Sequence, residues 1–323
     1  MKKTHVWEAR LVRLFARLPL PLVTAFSVLL AHVFCLLPLS VARVRQAVLT
    51  NLLIAFPELG WREARRMSGQ VIVEMARTFA SFSHVWLRPP AEMLGRVTRM
   101  HGADAWRRAI ADSRPILYLS LHQSCWEVPV LVLGREDPGM LVMYQPGEGD
   151  SALEDLVKEG REGTGAVLVP TNGEGVRAAL SGMAQGKSMA LLADHEPGGR
   201  NNPFAPLFGH DVLVPAFVYK VVEQFEPHIF FVSAQRQADG NYEVWFDEIP
   251  REHMAAGLQP AMRTMTAMFE TIIRRNPAQY HWSYKRFKTG PAGKRKWYRD
   301  DSFLRRVQQG ESAATVFTDA PGS

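Results

Sequence analysis

The feature that most constrains the fold is an alternation of short apolar runs with helical patterns, which continues from residue 116 to residue 275. Such alternation is typical of a sheet covered by helices, with parallel strands at its start. The sequence therefore predicts an α/β fold with a central mixed β-sheet flanked by helices. Strands are predicted over 116–119, 140–144, 166–169, 188–193, 212–219, 229–233 and 242–249, and helices over 61–86, 126–133, 151–160, 175–183 and 260–275.

Composition excludes several protein classes. Hydrophobic residues make up 47% of the 323 residues and charged residues 22%, which excludes both a disordered chain and a polytopic transporter. Two cysteines are too few for a disulfide framework or a multi-cysteine zinc module. Lys and Arg outnumber Asp and Glu by 38 to 32, which indicates anionic partners such as phosphate, acidic lipid, an acidic carrier protein or nucleic acid.

The N-terminal region contains a long apolar segment. With His32 neutral, no side chain from Leu18 to Ala42 is charged, and that length is enough to cross a bilayer as a helix. A cleaved signal peptide and a buried core helix are alternative interpretations. Basic residues flank the segment on both sides, which fits a helix that dips into one leaflet. We therefore expect an N-terminal hydrophobic membrane-anchoring helix.

The stretch 119–127 contains the most informative group of polar residues. It follows a predicted strand and opens a predicted helix, where α/β folds place their sites. His122 and Glu127 are five positions apart, about 140° on one helix, so they would not share a face. We expect His122 in the turn, with Glu127 pointing back at it. A carboxylate that accepts from one imidazole nitrogen leaves the other nitrogen basic, which suits proton removal from a hydroxyl.

Other interpretations of these residues remain open. His122 could cap the helix while Glu127 interacts with the helix dipole. Cys125 is either a nucleophilic thiol or a small apolar core residue, and the second interpretation is favoured. Asp194, His195 and Glu196 offer metal-ligand atoms, although without the spacing of a known metal motif. No glycine-rich phosphate loop is present, so neither ATP nor NAD is implied and no cofactor is expected.

Several blocks, in order along the chain, resemble the late acyltransferases of lipid A biosynthesis, the lauroyl/myristoyl transferase family within the lysophospholipid acyltransferase superfamily. The resemblance extends from about Trp7 to Arg299. The matching blocks are Asn51-Leu52, Ala55-Phe56-Pro57-Glu58, His122 and Trp126-Glu127, Tyr144-Gln145-Pro146, Arg161 with Gly165, Leu192-Ala193-Asp194-His195-Glu196-Pro197-Gly198, Phe208-Gly209, and Tyr280-His281-Trp282-Ser283-Tyr284-Lys285-Arg286-Phe287. Gln145 stands where the family usually has Arg, and His195 where it has Gln.

The resemblance implies an enzyme that transfers a fatty acyl group from acyl carrier protein to a hydroxyl of a lipid A precursor. In lipid A, that hydroxyl belongs to a 3-hydroxyacyl chain already attached to a phosphorylated glucosamine disaccharide. By the same resemblance, His122 is the general base, Glu127 orients it, and no acyl-enzyme forms. Arg161 is a candidate for oxyanion or phosphate contact, the alternative being a surface arginine beside Glu162. Asp194 is a candidate for substrate positioning.

The uncharged N-terminal run, the extent of the resemblance and a C-terminal segment rich in Gln, Gly, Ser and Thr together indicate a domain organisation. We expect residues 1–45 to form the membrane anchor, 46–303 the acyltransferase domain and 304–323 a loose C-terminal tail. Basic and aromatic residues alternate over 284–299, which suits contact with phosphates and anionic headgroups. A nucleic-acid patch or a solvated basic face has the same composition. The apolar N-terminal segment favours a membrane over a nucleic-acid partner, and the resemblance implies the cytoplasmic face of the bacterial inner membrane.

Two rival functions stay open at this stage. The departures at Gln145 and His195 are compatible with a different acceptor, such as an ornithine lipid, a glycerophospholipid or a polyene lipid. A protein that keeps the fold without activity would be a membrane lipid-binding scaffold, and would tolerate loss of His122. Hydrolysis of the donor thioester is a plausible side reaction when no acceptor is present.

Overall fold

A computed structural model describes residues 6–38, 42–146, 152–199 and 201–318. The ends of the chain, residues 39–41 of the apolar N-terminal segment, and the first residue of the helix predicted over 151–160 lie outside this description. So do residues 319–323 of the expected C-terminal tail.

The strands confirm a mixed central sheet. In the described part of the chain the strands are β1 Val97–His101, β2 Ile116–Ser120, β3 Leu141–Tyr144, β4 Val167–Pro170, β5 Met189–Leu192, β6 Phe204–Leu207, β7 His210–Leu213, β8 His228–Arg236, β9 Tyr242–Glu248, β10 Thr289–Gly290 and β11 Gly293–Lys294. Seven of these form one sheet in the order β1-β9-β8-β2-β5-β3-β4, in which only the β8–β9 pairing is antiparallel. The other four form two small antiparallel pairs, β6–β7 and β10–β11.

Helices connect and cover these strands, as the alternating pattern predicts. They are α1 Val6–Arg17, α2 Leu20–Cys35, α3 Arg43–Ala55, α4 Trp61–Leu87, α5 Pro90–Leu94, α6 Ala103–Ile110, α7 Glu127–Glu136, α8 Ala152–Glu162, α9 Gly173–Ala184, α10 Ala216–Phe225, α11 Arg251–Ala255, α12 Leu258–Arg275, α13 Ser302–Gln308 and α14 Ala313–Val316. The five helices predicted over 61–86, 126–133, 151–160, 175–183 and 260–275 correspond to α4, α7, α8, α9 and α12.

Two hydrophobic cores lie on opposite faces of the sheet. Alternate residues of β2 point to opposite faces, as the period of an extended strand requires. Leu117 and Leu119 belong to the larger core, together with residues of α3, α10 and α12. Ile116 and Tyr118 belong to the smaller core, which α6 and α7 cover. The central strand β2 is therefore buried on both faces, which explains its uninterrupted apolar sequence.

The predicted N-terminal membrane-anchoring helix is wrong. The apolar segment forms α2, which has 16 residues and begins directly after Pro19. That length corresponds to about 24 Å at 1.5 Å per residue, short of a hydrocarbon core of about 30 Å. Leu20, Val23 and Ala31 are buried, and α2 packs against α4. Within the described ranges, no helix combines the length and the apolar character needed to cross a membrane.

The strand predicted over 212–219 is also wrong in its second half. Strand β7 ends at Leu213, and α10 begins at Ala216, directly after Pro215. Proline fixes φ near the helical value and has no amide hydrogen to donate, so it favours the start of a helix and interrupts a strand. The apolar run therefore divides between two elements.

Helices also occur in the region expected to be a loose C-terminal tail. Helices α13 and α14 occupy 302–308 and 313–316. Leu304, Val307, Val316 and Phe317 are buried and belong to the larger core. These residues explain why the described part of this segment lies against the domain.

Candidate active site

Parallel pairing of β2 with β5 brings His122 and Asp194 together. Ser120 is paired with Leu192 at the carboxyl ends of these strands. His122 and Asp194 each lie two residues beyond this pair, at the same edge of the sheet. Two residues that are 72 positions apart in sequence therefore meet because of strand register alone.

The Asp194 carboxylate makes two bonds to His122. One oxygen, Oδ1, lies 2.8 Å from the imidazole Nδ1, and Oδ2 accepts from the His122 main-chain amide at 3.0 Å. The Tyr280 hydroxyl also donates to Oδ2, at 3.0 Å. An ionised carboxylate only accepts hydrogen bonds, so Nδ1 carries the ring proton and Nε2 is left with a lone pair. This differs from the sequence expectation, in which Glu127 accepts from His122.

The surroundings of Asp194 keep its carboxylate ionised. The residue is 1% exposed, and burial alone would raise its pKa. The hydrogen bonds of His122, and the positive charges of His122 and His195 in their protonated forms, outweigh burial and hold the pKa of Asp194 well below its usual range. Asp194 is therefore a fixed negative charge against the His122 ring near neutral pH.

The turn that carries His122 is held by the segment that follows α12. Ser124 adopts a left-handed conformation, with φ of 51°, and its amide donates to the carbonyl oxygen of Gln279 at 2.7 Å. The amide of His281 donates to the carbonyl oxygen of His122 at 2.9 Å. These bonds on either side of Gln123 fix the His122 backbone, so the imidazole does not depend on a flexible loop for its position.

Glu127 pairs with Arg161 instead of His122. The Glu127 carboxylate accepts from Arg161 Nε at 2.8 Å and from Nη2 at 2.5 Å, a bidentate arrangement. The Glu127 side chain is buried, with 1% exposure, and the Arg161 side chain is partly buried, with 14%. Burial lowers the pKa of Arg161, but the Glu127 charge and hydrogen bonds outweigh it and raise the pKa. Glu127 thus fixes a permanent cation beside the site.

His195 is stacked between His122 and Tyr284. The ring centroids of His122 and His195 lie 3.9 Å apart with an interplanar angle of 7°, and His195 and Tyr284 lie 3.9 Å apart at 18°. Burial lowers the pKa of His195 to about 4 and outweighs the Asp194 charge, which acts in the opposite direction. His195 is therefore neutral near pH 7, and its ring presents a π-face to His122.

The same stack disfavours a metal centre. Ligand atoms of His122, Asp194 and His195 lie within 4.8 Å of one another. However, the two imidazole rings are nearly parallel, so the in-plane lone pairs of their nitrogens do not converge on one point. Asp194 is already bonded to Nδ1 of His122. These three residues fit a hydrogen-bonded base better than a metal site.

A cavity of about 880 Å³ opens above this edge of the sheet. His122, Trp126, Arg161 and His195 contribute to its wall. A smaller apolar pocket adjoins the cavity and shares Trp126 and Arg161 with it, and it continues between the sheet and α7. The site therefore combines a base, a cation and an apolar extension.

The four site residues predicted from the sequence form two pairs at this site, His122 with Asp194 and Glu127 with Arg161.

Cys125 is buried, and burial raises its pKa to about 12, so its thiol is protonated and inert at neutral pH. Tyr280, His281 and Tyr284 were not predicted individually as site residues. Their aromatic-rich sequence after α12 contributes to the family resemblance, but nothing in its spacing indicates contact with His122.

His195 and His281 are expected to make stability depend on pH. Burial lowers the pKa of each to about 4, whereas an unfolded histidine titrates near pH 6.5. Between about pH 6.5 and 4 the unfolded chain binds protons that the folded chain does not. The free energy of unfolding therefore falls as pH falls through this window, by up to about 1.4 kcal/mol per pH unit for each histidine.

Urea unfolding at several pH values in this window measures the slope. His195→Phe keeps an aromatic ring in the stack but has no titrating nitrogen, so its slope should be shallower than that of the wild type. His281→Phe should act in the same way. Unchanged slopes in both variants would show that these histidines are not buried in their neutral form.

Comparison with known proteins identifies the family of the chain. The sequence profile of the bacterial lipid A biosynthesis acyltransferase family matches residues 4–289. The chain belongs to this family. It is similar to the lipid A biosynthesis palmitoleoyltransferase of Escherichia coli K12, with 23% identity over 249 residues, which cover 77% of this chain and 80% of the relative.

Two further relatives carry related names. The lipid A biosynthesis lauroyltransferase of Escherichia coli K12 is 25% identical, over 75% of this chain and 78% of the relative. A lipid A biosynthesis acyltransferase of Shigella flexneri is 23% identical, over 77% and 80%. The profile match spans the strand β2, the turn with His122 and the region of Asp194, so this site is the candidate active site of the family member.

Proposed function

We propose that the protein transfers a fatty acyl group from acyl carrier protein to a hydroxyl of a lipid A precursor, forming an acyloxyacyl ester. The observation that carries this proposal is the His122–Asp194 pair at the wall of a large cavity, in a chain of the lipid A acyltransferase family. The acceptor is a membrane glycolipid, so we place the reaction at the cytoplasmic face of the bacterial inner membrane, in contact with anionic lipids.

In the first step, His122 Nε2 takes the proton of the acceptor hydroxyl. Asp194 keeps the ring proton on Nδ1 and stabilises the imidazolium that forms. The neutral His195 ring, parallel to His122 at 3.9 Å, offers a π-face to the same cation. The developing alkoxide attacks the thioester carbonyl directly, which agrees with the protonated, buried thiol of Cys125.

In the second step, the carbon–sulfur bond of the tetrahedral intermediate breaks. The carrier thiolate leaves and takes the proton from His122, which returns the base to its neutral form. The negative oxygen of the intermediate needs a fixed donor. Arg161 suits this role because Glu127 engages its Nε and Nη2, and because the residue lines the cavity.

We assign the end of the donor's acyl chain to the apolar pocket that adjoins the cavity; at about 40 Å³ this pocket has to widen to admit more of the chain. Ala190 of β5, Val142 of β3 and Val232 of β8 contribute to its wall, together with residues of α7. The relatives named above transfer chains of different length, as their palmitoleoyl and lauroyl names state. A pocket of fixed depth is a physical means of selecting one length.

Enlarging a side chain at the wall of this pocket should shorten the preferred chain. Ala190→Leu fills space beside the sheet, so the ratio of kcat/KM for a long to a short acyl donor should fall by about tenfold or more. Ala234→Leu is the control, because Ala234 is buried in the same core but does not line the pocket. An unchanged ratio in Ala190→Leu, in a folded protein, would place the acyl chain elsewhere.

Mass spectrometry of the lipid product tests the proposed reaction. Purified protein is incubated with acyl carrier protein bearing acyl chains of several lengths, and with a hydroxyacylated lipid A precursor. The expected product is the precursor with one added acyl group and no acylated protein. Thioester hydrolysis without acyl transfer would show that the acceptor is a different lipid. If folded protein gives neither product, the scaffold interpretation is favoured.

A further inference from the structure

The side chain of Gln279 bonds the end of β8 from the segment that follows α12. Its Nε2 donates to the main-chain carbonyl oxygen of Arg236 at 2.8 Å, and its Oε1 accepts from the main-chain amide of the same residue at 2.9 Å. Gln279 ends a short 3₁₀ helix, Pro277–Gln279, and Arg236 is the last residue of β8. A residue that exchanges two bonds with one main-chain position acts as a paired strand would.

The turn that carries His122 joins these bonds. Ser124 Oγ accepts from the Arg236 amide at 3.2 Å, and the Ser124 amide donates to the Gln279 main-chain carbonyl oxygen. Gln279, Arg236 and Ser124 therefore form a closed ring of hydrogen bonds, which we call the clasp. All three residues are buried. A bond lost from the clasp would leave a buried polar group without a partner, which is unfavourable.

The clasp holds a strained turn. Ser124 has a left-handed conformation, which is unfavourable for any residue other than glycine. Such a conformation persists only where the surrounding contacts hold it. Without the clasp, the main chain at Ser124 would relax towards negative φ. This rotation would occur two residues after His122.

The bonds of His122 to Asp194 depend on the same main chain. Asp194 Oδ2 accepts from the His122 amide at 3.0 Å, and Oδ1 lies 2.8 Å from Nδ1 of the ring. Because both oxygens belong to one carboxylate, a shift of the turn would weaken both bonds together. A misplacement of about 1 Å is enough to lower a rate by about 10²-fold.

The side chain of Arg236 connects the clasp to α4. Its Nη1 donates to Glu74 Oε2 at 3.0 Å, and its Nη2 donates to Thr78 Oγ1 at 3.3 Å. The guanidinium also lies over the Tyr242 ring, with 5.5 Å between its carbon and the ring centroid. A strand, a neighbouring strand and a helix therefore fix Arg236, and the clasp is attached to a rigid part of the fold.

We propose that Gln279 is a positioning residue for acyl transfer, and that its side chain sets the place of the general base His122. This proposal rests on the proposed function, since it gives Gln279 a part in that reaction. Gln279 is not among the described residues that line the cavity of about 880 Å³, so it acts through Ser124 and not on the substrate. Its effect belongs in kcat and in the state of the His122 ring, and not in KM.

Kinetics of three variants test the proposal. Gln279→Met keeps the length of the side chain but removes both bonds to Arg236, so kcat for acyl transfer should fall by about 10- to 100-fold, with KM within about twofold. Gln279→Glu keeps an oxygen that accepts from the Arg236 amide, and should lose about three- to tenfold in kcat. Gln235→Met is the matched control and should keep wild-type kcat. Gln235 is 9% exposed, as Gln279 is, and its Nε2 has no hydrogen-bond partner in the described part of the chain.

The His122 ring reports the same effect without a substrate. In protein labelled with ¹⁵N-histidine, Gln279→Met should show a second His122 tautomer with the proton on Nε2. Wild type and Gln235→Met should not show it. Because no acceptor is needed, this measurement tests Gln279 even if the acceptor is a different lipid. Acyl transfer by wild type, with unchanged kcat and tautomer in Gln279→Met, would show that the proposed function stands while the role of Gln279 does not.

Two results would overturn the proposal. Folded Gln279→Met with wild-type kcat and a single Nδ1 tautomer would show that Gln279 only stabilises the fold. An equal fall of kcat in Gln235→Met would indicate a general loosening of β8. If Gln279→Met does not fold, Gln279→Glu decides between the same alternatives, because it retains part of the clasp. Wild-type kcat and tautomer in that variant would contradict the proposal.

Discussion

Replacing His122 with alanine is expected to lower kcat for acyl transfer by about 10²- to 10⁴-fold, because the acceptor hydroxyl loses its proton acceptor. The side chain is partly buried, and its principal polar partner is Asp194. The fold should survive, since the His122 backbone remains bonded to Asp194 and to the amide of His281. Single-turnover acyl transfer, measured beside circular dichroism and thermal unfolding, checks both expectations.

Two further variants test whether the loss of activity is specific to the His122–Asp194 pair. His253→Ala removes an exposed histidine of α11 and should leave kcat unchanged. Asp194→Asn should lower kcat to a similar extent as His122→Ala, because an amide no longer enforces the tautomer with a basic Nε2. Wild-type kcat in His122→Ala, with the protein folded, would exclude His122 as the base and would favour a scaffold function.

Arg161→Met should destabilise the protein by roughly 3–5 kcal/mol, because it leaves the Glu127 carboxylate buried without its cation. Glu127 is 1% exposed, and both of its oxygens accept from Arg161. Urea unfolding of wild type and variant measures the difference in free energy. The expected loss is large compared with the effect of most single substitutions.

The double variant Glu127→Gln with Arg161→Met removes both charges and should recover much of that stability. Arg88→Met is the matched control, because Arg88 pairs with Glu92 at an exposed position, with 44% and 45% exposure. Its cost should be below about 1 kcal/mol. If Arg161→Met costs no more than Arg88→Met, then Glu127 and Arg161 do not form a buried pair.

Much of the fold could be predicted from hydrophobic periodicity. The strand 116–119 and the helix 126–133 were placed nearly where β2 and α7 lie, because each has a local pattern. The region around Pro215 was misassigned because its apolar run has no clear period. The membrane-anchoring helix was predicted from the length of the uncharged N-terminal run. That run includes prolines and flanking residues that do not belong to α2, so the helix itself is shorter than the run.

Pairing within the site could not be predicted, because it depends on tertiary structure. The bond between His122 and Asp194 requires β5 to lie beside β2, and no local pattern specifies that neighbour. Asp194 does follow a predicted strand, and this signal could have placed it at the sheet edge near His122. Glu127 was assigned to His122 by closeness in sequence, whereas helix α7 directs it towards Arg161 of α8.

The position of the His122 ring proton tests the central claim most directly. Protein labelled with ¹⁵N-histidine, with the His122 signal assigned by its loss in His122→Asn, reports which ring nitrogen is protonated. The account predicts a proton on Nδ1 and none on Nε2 near neutral pH, altered by Asp194→Asn but unchanged in the Glu127→Gln/Arg161→Met double variant. A proton on Nε2, or a tautomer that responds to Glu127 and not to Asp194, would contradict it.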